Sequence, residues 1–191
     1  PPIRPDPRLT TSSDLRRSTR CIHMTAVDTA RAAEAERSAP TPLARIVRPG
    51  EGNRVRAFGN EIEFMLSGDQ TGESLTVGLA SVPAGNGPPP HVHYSEDELF
   101  LILEGEYRIY LNGDWTTVGP GTVVYLPRGS VHTFQVAGDK PGRHWTLQTP
   151  SGFERYFAQA GELLSAPGKP DLARLEAITK EYGAEIVQYA P

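Results

Sequence analysis

The 191-residue sequence is short of several things, and each shortage excludes a class of protein. It has one cysteine, Cys21, so no internal disulfide can form, and a reducing cytoplasm is the expected setting. No apolar run approaches the roughly 18 residues that a spanning helix needs, so no membrane partner is expected. Positive charge is not in excess. Lys and Arg total 19 against 23 Asp and Glu, a net charge of −4, which leaves no electrostatic footprint for nucleic acid. Large apolar side chains are almost missing from residues 1 to 42, which are rich in Pro, Ser, Thr and Arg. Such a stretch cannot offset the entropy of ordering it, so a flexible N-terminal tail with no assigned chemistry is expected there, with at most a short helix over 25–37.

Punctuation, by contrast, is plentiful: 19 Gly and 18 Pro cut the chain into short pieces. Between residues 43 and 150 these pieces read as strands. Residues 61–66 are one, and 74–82 another, with Leu75, Val77 and Leu79 on the face expected to be buried. Residues 99–103 are apolar on both faces, as in a strand between two sheets or at a subunit contact. Asn112-Gly113 between two alternating runs is a strong hairpin signal. Further strands follow near 122–126, 131–136 and 143–148. The spacing predicts an all-β domain over 43–150, a small antiparallel barrel or jelly roll of about six to ten strands. After Pro150 the period changes. Phe153, Tyr156 and Phe157 stand at helical spacing and Asp171 can cap a second helix, so 151–191 is expected to be a helical extension packed on the barrel, ending in an extended piece over 185–189.

The chemistry concentrates between Gly85 and His132. His91 and His93 lie one residue apart, so on a strand both project from one side. Glu98 and the more distant His132 complete a set of three imidazoles and one carboxylate, which suits a divalent transition metal: Fe, Mn, Ni, Co, Cu or Zn. Glu96, Asp97 and Glu98 are adjacent, and alternation places Asp97 on the opposite side from the other two. Glu98 heads the apolar run and is the better ligand candidate. Glu96 reads as a solvated loop charge, or else as a support for a ligand histidine. His144 is expected in a surface or core role, and Tyr107, Phe134 and Trp145 as core packing. His23 and Cys21 fall in the tail, His23 expected solvated and Cys21 given no role.

These residues also carry a resemblance. Gly85, five residues, His91-Val92-His93, four residues, Glu98, six residues and Gly105 resemble the first signature of the cupin superfamily. Gly121, five residues, Pro127-Arg128-Gly129, two residues and His132 resemble the second, with Val136 where that pattern usually has Asn. The Ser151-to-Phe157 helix just after the barrel is similar to that of quercetin 2,3-dioxygenase-like single-domain cupins. The resemblance implies His91, His93, Glu98 and His132 as metal ligands and a homodimer. It also implies an oxygenase acting on a small phenolic or enolic substrate, flavonol- or diketone-like, with Glu98 as the catalytic residue that takes the hydroxyl proton. Two other readings stay open: a redox-neutral isomerase, cyclase or lyase using the same metal, and a small-ligand-binding module without turnover. The absence of a helix-turn-helix pattern argues against one form of the last, a transcriptional sensor.

Overall fold

Two antiparallel sheets face each other, and their order follows from short strands joined by tight turns. The computed structural model describes residues 42–187. The strands are β1 (Asn53–Ala57), β2 (Asn60–Leu66), β3 (Thr76–Val82), β4 (His91–His93), β5 (Asp97–Glu104), β6 (Glu106–Leu111), β7 (Asp114–Val118), β8 (Val123–Leu126), β9 (Val131–Ala137), β10 (Gly142–Thr149) and β11 (Ala184–Ile186). A short helix, α1 (Gly68–Thr71), separates β2 from β3, and α2 (Phe153–Ser165) and α3 (Leu172–Glu181) follow β10. One sheet runs β1-β2-β3-β10-β5-β8 and the other β11-β4-β9-β6-β7. The all-β jelly-roll expectation holds. The tail expectation for residues 1–42, with the 25–37 helix, His23 and Cys21, lies outside the described residues except at Pro42.

The β6–β7 hairpin forms where the Asn-Gly pair predicts it. Asn112 and Gly113 have φ of 55° and 95°, the positive values that a two-residue turn of this hand requires at both positions. Alternation along the strands then fills the space between the sheets. Phe64, Val82, Phe100, Ile102, Tyr107, Ile109, Leu126, Phe134 and Val136 form one buried cluster, so Val136 spends its side chain on the core.

On β3 the buried face is the reverse of the one expected. Thr76, Gly78, Ala80 and Val82 point inward, while Val77 and Leu79 lie on the outer face of the sheet, where Leu79 is nonetheless buried and Val77 partly so. The alternation rule assumes that the larger apolar residues face the core. Here the outer face is apolar as well. In register across four strands stand Val77, Leu147, Leu99 and Tyr125, and beside them Leu79, Trp145, Leu101 and Val123. Trp145 is therefore an outer-face residue and not part of the interior. The small inward side chains of Gly78 and Ala80 leave room inside.

Ten strands fall between residues 53 and 149, and the eleventh comes from the C-terminal segment. β11 adds to the edge of the second sheet, with Ala184 opposite His93 and Ile186 opposite His91. The sequence shows this piece as extended but gives no sign of the edge it joins. α2 and α3 enclose a second buried cluster of Phe153, Tyr156, Ala160, Leu175, Ile178 and Ala184. Asp171 caps α3 by accepting from the Arg174 backbone N–H, as expected. Among the described residues no helix is long and apolar enough to cross a membrane.

Candidate metal centre

His91 and His132 are direct register partners across β4 and β9, which places their rings side by side on the inner face of the second sheet. His93 follows two residues along the same strand, so it shares that face. Ring centroids lie 4.4 Å apart for His91 and His132 and 4.9 Å apart for His91 and His93. Glu98 arrives from β5 in the opposite sheet, paired with Leu126 on one side and Gln148 on the other. The four residues are brought together, and one ligand atom from each lies within 4.8 Å of the others.

Each imidazole is oriented by its Nδ1 atom. That of His91 lies 2.9 Å from the Pro89 carbonyl oxygen, that of His132 lies 3.0 Å from the Ser130 carbonyl, and that of His93 lies 2.5 Å from Glu96 Oε1. With Nδ1–H donating outward, Nε2 keeps its lone pair for the centre. Glu96 is therefore not a solvated loop charge. It is 4% exposed and fixes His93, the supporting role that was the other reading of this residue. The first residue of the Glu-Asp-Glu run turns inward before β5 begins, while Asp97 faces out and accepts from Arg128.

Glu98 is held with equal care. Its Oε1 accepts from Thr146 Oγ1 at 3.0 Å and Gln148 Nε2 at 2.9 Å, both on the inner face of β10. This leaves Oε2 toward the histidines, 3.5 Å from His132 Nε2. Sequence reasoning missed Thr146 and Gln148. Their only signal was two polar residues on the face of a strand that would otherwise be filled with apolar side chains.

Electrostatics suit a cation. Burial first, and then the neighbouring rings of His132 and His93, push His91 down to about 3, so it is neutral at pH 7. Burial works to lower His93, but the hydrogen bond to Glu96 and the Glu98 charge outweigh it and raise this group. Burial works to raise Glu98, but its contact with His132 and the fields of the other two rings bring it down to about 2. It is a carboxylate at any ordinary pH. His132 Nε2 is buried with no hydrogen-bond partner. A buried polar nitrogen with nothing to bind, facing a carboxylate oxygen and two further imidazoles, is what a metal would satisfy. Three imidazoles and one carboxylate fit a divalent transition metal, and the donor set alone leaves its identity open.

The cluster borders a cavity of about 110 Å³, room for several waters or part of a small organic molecule. Its walls are largely apolar and include Ile62, Val82, Phe100, Phe134, Phe153 and Tyr156. Phe153, at the start of α2, packs edge-on against the His93 ring with centroids 4.3 Å apart. Tyr107 and Phe134 pack in the core as expected, and Phe134 also lines the cavity. His144 is buried inside, its Nδ1 2.9 Å from the Tyr107 hydroxyl, and burial pushes it down to about 4.

Comparison with known proteins points the same way. Residues 78–146 match the model of the cupin domain family. A 92-residue stretch is 30% identical to a quercetin 2,3-dioxygenase of Bacillus subtilis, covering 48% of this chain and 27% of that one. The match thus spans about a quarter of the relative's length. Among solved structures, KdgF from a Halomonas species aligns with a TM-score of 0.52 at 15% identity, over 58% of this chain and 99% of that one. A predicted oxalate decarboxylase of Thermotoga maritima aligns with a TM-score of 0.51 at 22% identity, over 56% and 99%. These two likenesses carry the fold. Facing antiparallel sheets, two signature stretches and a family match over the same residues lead to one conclusion: the chain carries a cupin domain.

Proposed function

We propose that this protein is a metal-dependent oxygenase, with His91, His93, Glu98 and His132 as the ligands of a divalent transition metal and a small phenolic or enolic molecule as substrate. The observation that carries the reading is the convergence of three outward-anchored imidazoles and a donor-fed carboxylate beside an apolar, aromatic cavity that His91, His93 and Glu98 line. The partial likeness to a quercetin 2,3-dioxygenase supports flavonols within that substrate class, in which a hydroxyl or enol sits on a flat apolar framework. A metal held by these four residues would lower the pKa of a ligated hydroxyl and orient it.

The rest falls to the protein. Phe100, Phe134 and Phe153 take up the substrate's apolar body and exclude water. Glu98 receives the hydroxyl proton on Oε2, while Thr146 and Gln148 hold Oε1 and so keep Oε2 aimed at the centre. A homodimer formed through the apolar outer face of β3, β10, β5 and β8 completes the reading. The test is elemental analysis of protein purified without added metal, followed by oxygen consumption with flavonols and diketones. Oxygen uptake that disappears with the metal supports the proposal. A metal-loaded protein that consumes no oxygen but isomerises or cleaves the same compounds overturns the oxygenase reading in favour of redox-neutral chemistry.

A further inference from the structure

The cavity contains a titratable side chain that the metal cluster does not use. His144 lies on the inner face of β10, lines the cavity, and has Phe100 and Phe134 against its ring, with centroids 4.7 and 5.4 Å away. Its Nδ1 is 2.9 Å from Tyr107 Oη. Tyr107 is fully buried, and among the described residues Nδ1 of His144 is the hydrogen-bond partner of its hydroxyl. A buried O–H left without an acceptor costs more than a typical hydrogen bond contributes, so the phenol donates and Nδ1 accepts. A neutral imidazole that accepts at Nδ1 carries its proton on Nε2. Among the described residues that N–H meets no hydrogen-bond partner, and the ring borders the cavity.

The position on the strand sets His144 apart from the cluster: Glu98 is the register partner of Gln148, whereas His144 stands opposite Ile102. Gln148, Thr146 and His144 alternate along the inner face of β10, and the first two hold Glu98. A strand advances about 3.3 to 3.4 Å per residue, so His144 stands about 7 Å beyond Thr146, at the end of the cavity away from Glu98. The walls beside it are Phe100 and Phe134, which makes its N–H an isolated polar group in apolar surroundings.

We infer that His144 is a substrate-positioning residue: its Nε2–H donates to a second oxygen of the substrate, a ring hydroxyl or carbonyl remote from the oxygen held at the metal cluster. The inference rests on the proposed binding of a first oxygen at that cluster. It narrows the substrate class to flat molecules with oxygens at both ends and disfavours short diketones. Burial supports the role, because it keeps the imidazole neutral at pH 7.

Two measurements test it. The first is independent of any substrate: long-range 15N–1H correlation spectra of the metal-free protein should show His144 protonated at Nε2, and Tyr107→Phe should weaken that preference. A ring protonated at Nδ1 overturns the inference, whatever the reaction. The second uses zinc-loaded protein with quercetin and with 3-hydroxyflavone, which keeps the hydroxyketone but lacks the ring hydroxyls. His144→Leu should weaken quercetin about tenfold, the size of one hydrogen bond, leave 3-hydroxyflavone within about twofold, and leave zinc content unchanged. His144→Gln, which retains an N–H donor, should recover part of the loss. Equal losses for both compounds, or none for quercetin, overturn the inference. Failure of both compounds to bind wild-type protein counts against the flavonol reading of the cluster, and the tautomer then decides the role of His144.

Discussion

A histidine whose Nδ1 already serves a carbonyl or carboxylate has only Nε2 to offer, and three such rings converge here with one carboxylate. Removing a ring should therefore empty the site: His91→Ala or His132→Ala is expected to leave less than a tenth of the wild-type metal by elemental analysis. Glu98→Gln should keep a measurable share while abolishing turnover, because the imidazoles supply most of the affinity. Full metal occupancy in the double alanine variant would remove the basis of the enzymatic reading. Glu96→Ala leaves the ligands intact but frees the His93 ring, and a loss of about 10- to 100-fold in metal affinity is expected by competition titration. The spacing of the four candidate ligands makes the cluster readable in the sequence. The support that Glu96 gives His93 was legible only as the second of two readings, because Glu96 lies one residue before β5, where strand alternation does not yet decide between a loop charge and an inward side chain. Titration gives a further test at this scale. His144 is held at about 4, against 6.5 for an ordinary imidazole, so below pH 6.5 the unfolded chain binds a proton that the folded one refuses. The contribution of His144 to stability therefore falls as pH drops from 6.5 toward 4. His91, lowered to about 3, acts in the same direction, and the raised His93 opposes it. Replacing His144 by Phe removes one of these terms. The slope of unfolding free energy against pH, measured by urea titration of metal-free protein, should flatten by up to about 1.4 kcal/mol per pH unit between those limits. An unchanged slope would show that His144 is protonated alike in both states.

At the scale of elements, the site depends on a loop as much as on strands. The Pro- and Gly-rich stretch 83–90 runs alongside β9: Gly85 N–H donates to the Val136 carbonyl, and Val136 N–H donates to Asn86. Gly87 then passes so close to Phe134 that an added Cβ would overlap that residue's carbonyl oxygen. Backbone cannot yield as a flexible side chain can, so Gly87→Ala should push the loop outward and with it Pro89, whose carbonyl anchors His91. The expected result is a destabilisation of about 1 to 3 kcal/mol in urea unfolding, together with weaker metal binding. Gly85→Ala, with open space around its Cβ but φ of 75°, should cost less, about 1 kcal/mol, and serves as the comparison. Wild-type stability and affinity in Gly87→Ala would mean that the loop is not what fixes His91. Strand existence, the hairpin and the switch to helices were legible because each has a local cause in turn residues or period. The burial of β3 was not. Its larger apolar residues face out because the neighbouring strands β10 and β5 are apolar on that side too, and pairing across a sheet is a non-local fact. The docking of β11 beside His91 and His93 is equally non-local, since more than 90 residues separate partners such as Ile186 and His91.

For the whole molecule, the outer face of the six-stranded sheet poses the remaining problem. Two rows of four apolar side chains cross it, Val77-Leu147-Leu99-Tyr125 and Leu79-Trp145-Leu101-Val123, and the last residue of each row, on β8, is more than half exposed. Apolar faces of this extent on a sheet are usually covered, since monomers rarely leave large contiguous apolar patches in water. A second copy of the chain is the proposed cover, because an isologous contact lets the same rows meet each other about a two-fold axis. The residues involved point away from the cavity, so the contact can be broken without touching the metal site. Leu101→Lys and Val123→Lys sit in register on β5 and β8, and together they bring four positive charges into a two-fold contact. Sedimentation velocity on the wild-type protein should give twice the chain mass, and the double variant should give the chain mass with metal content unchanged. A wild-type protein that sediments as a monomer at micromolar concentration would end the dimer proposal. A variant that stays dimeric would place the contact elsewhere on the molecule.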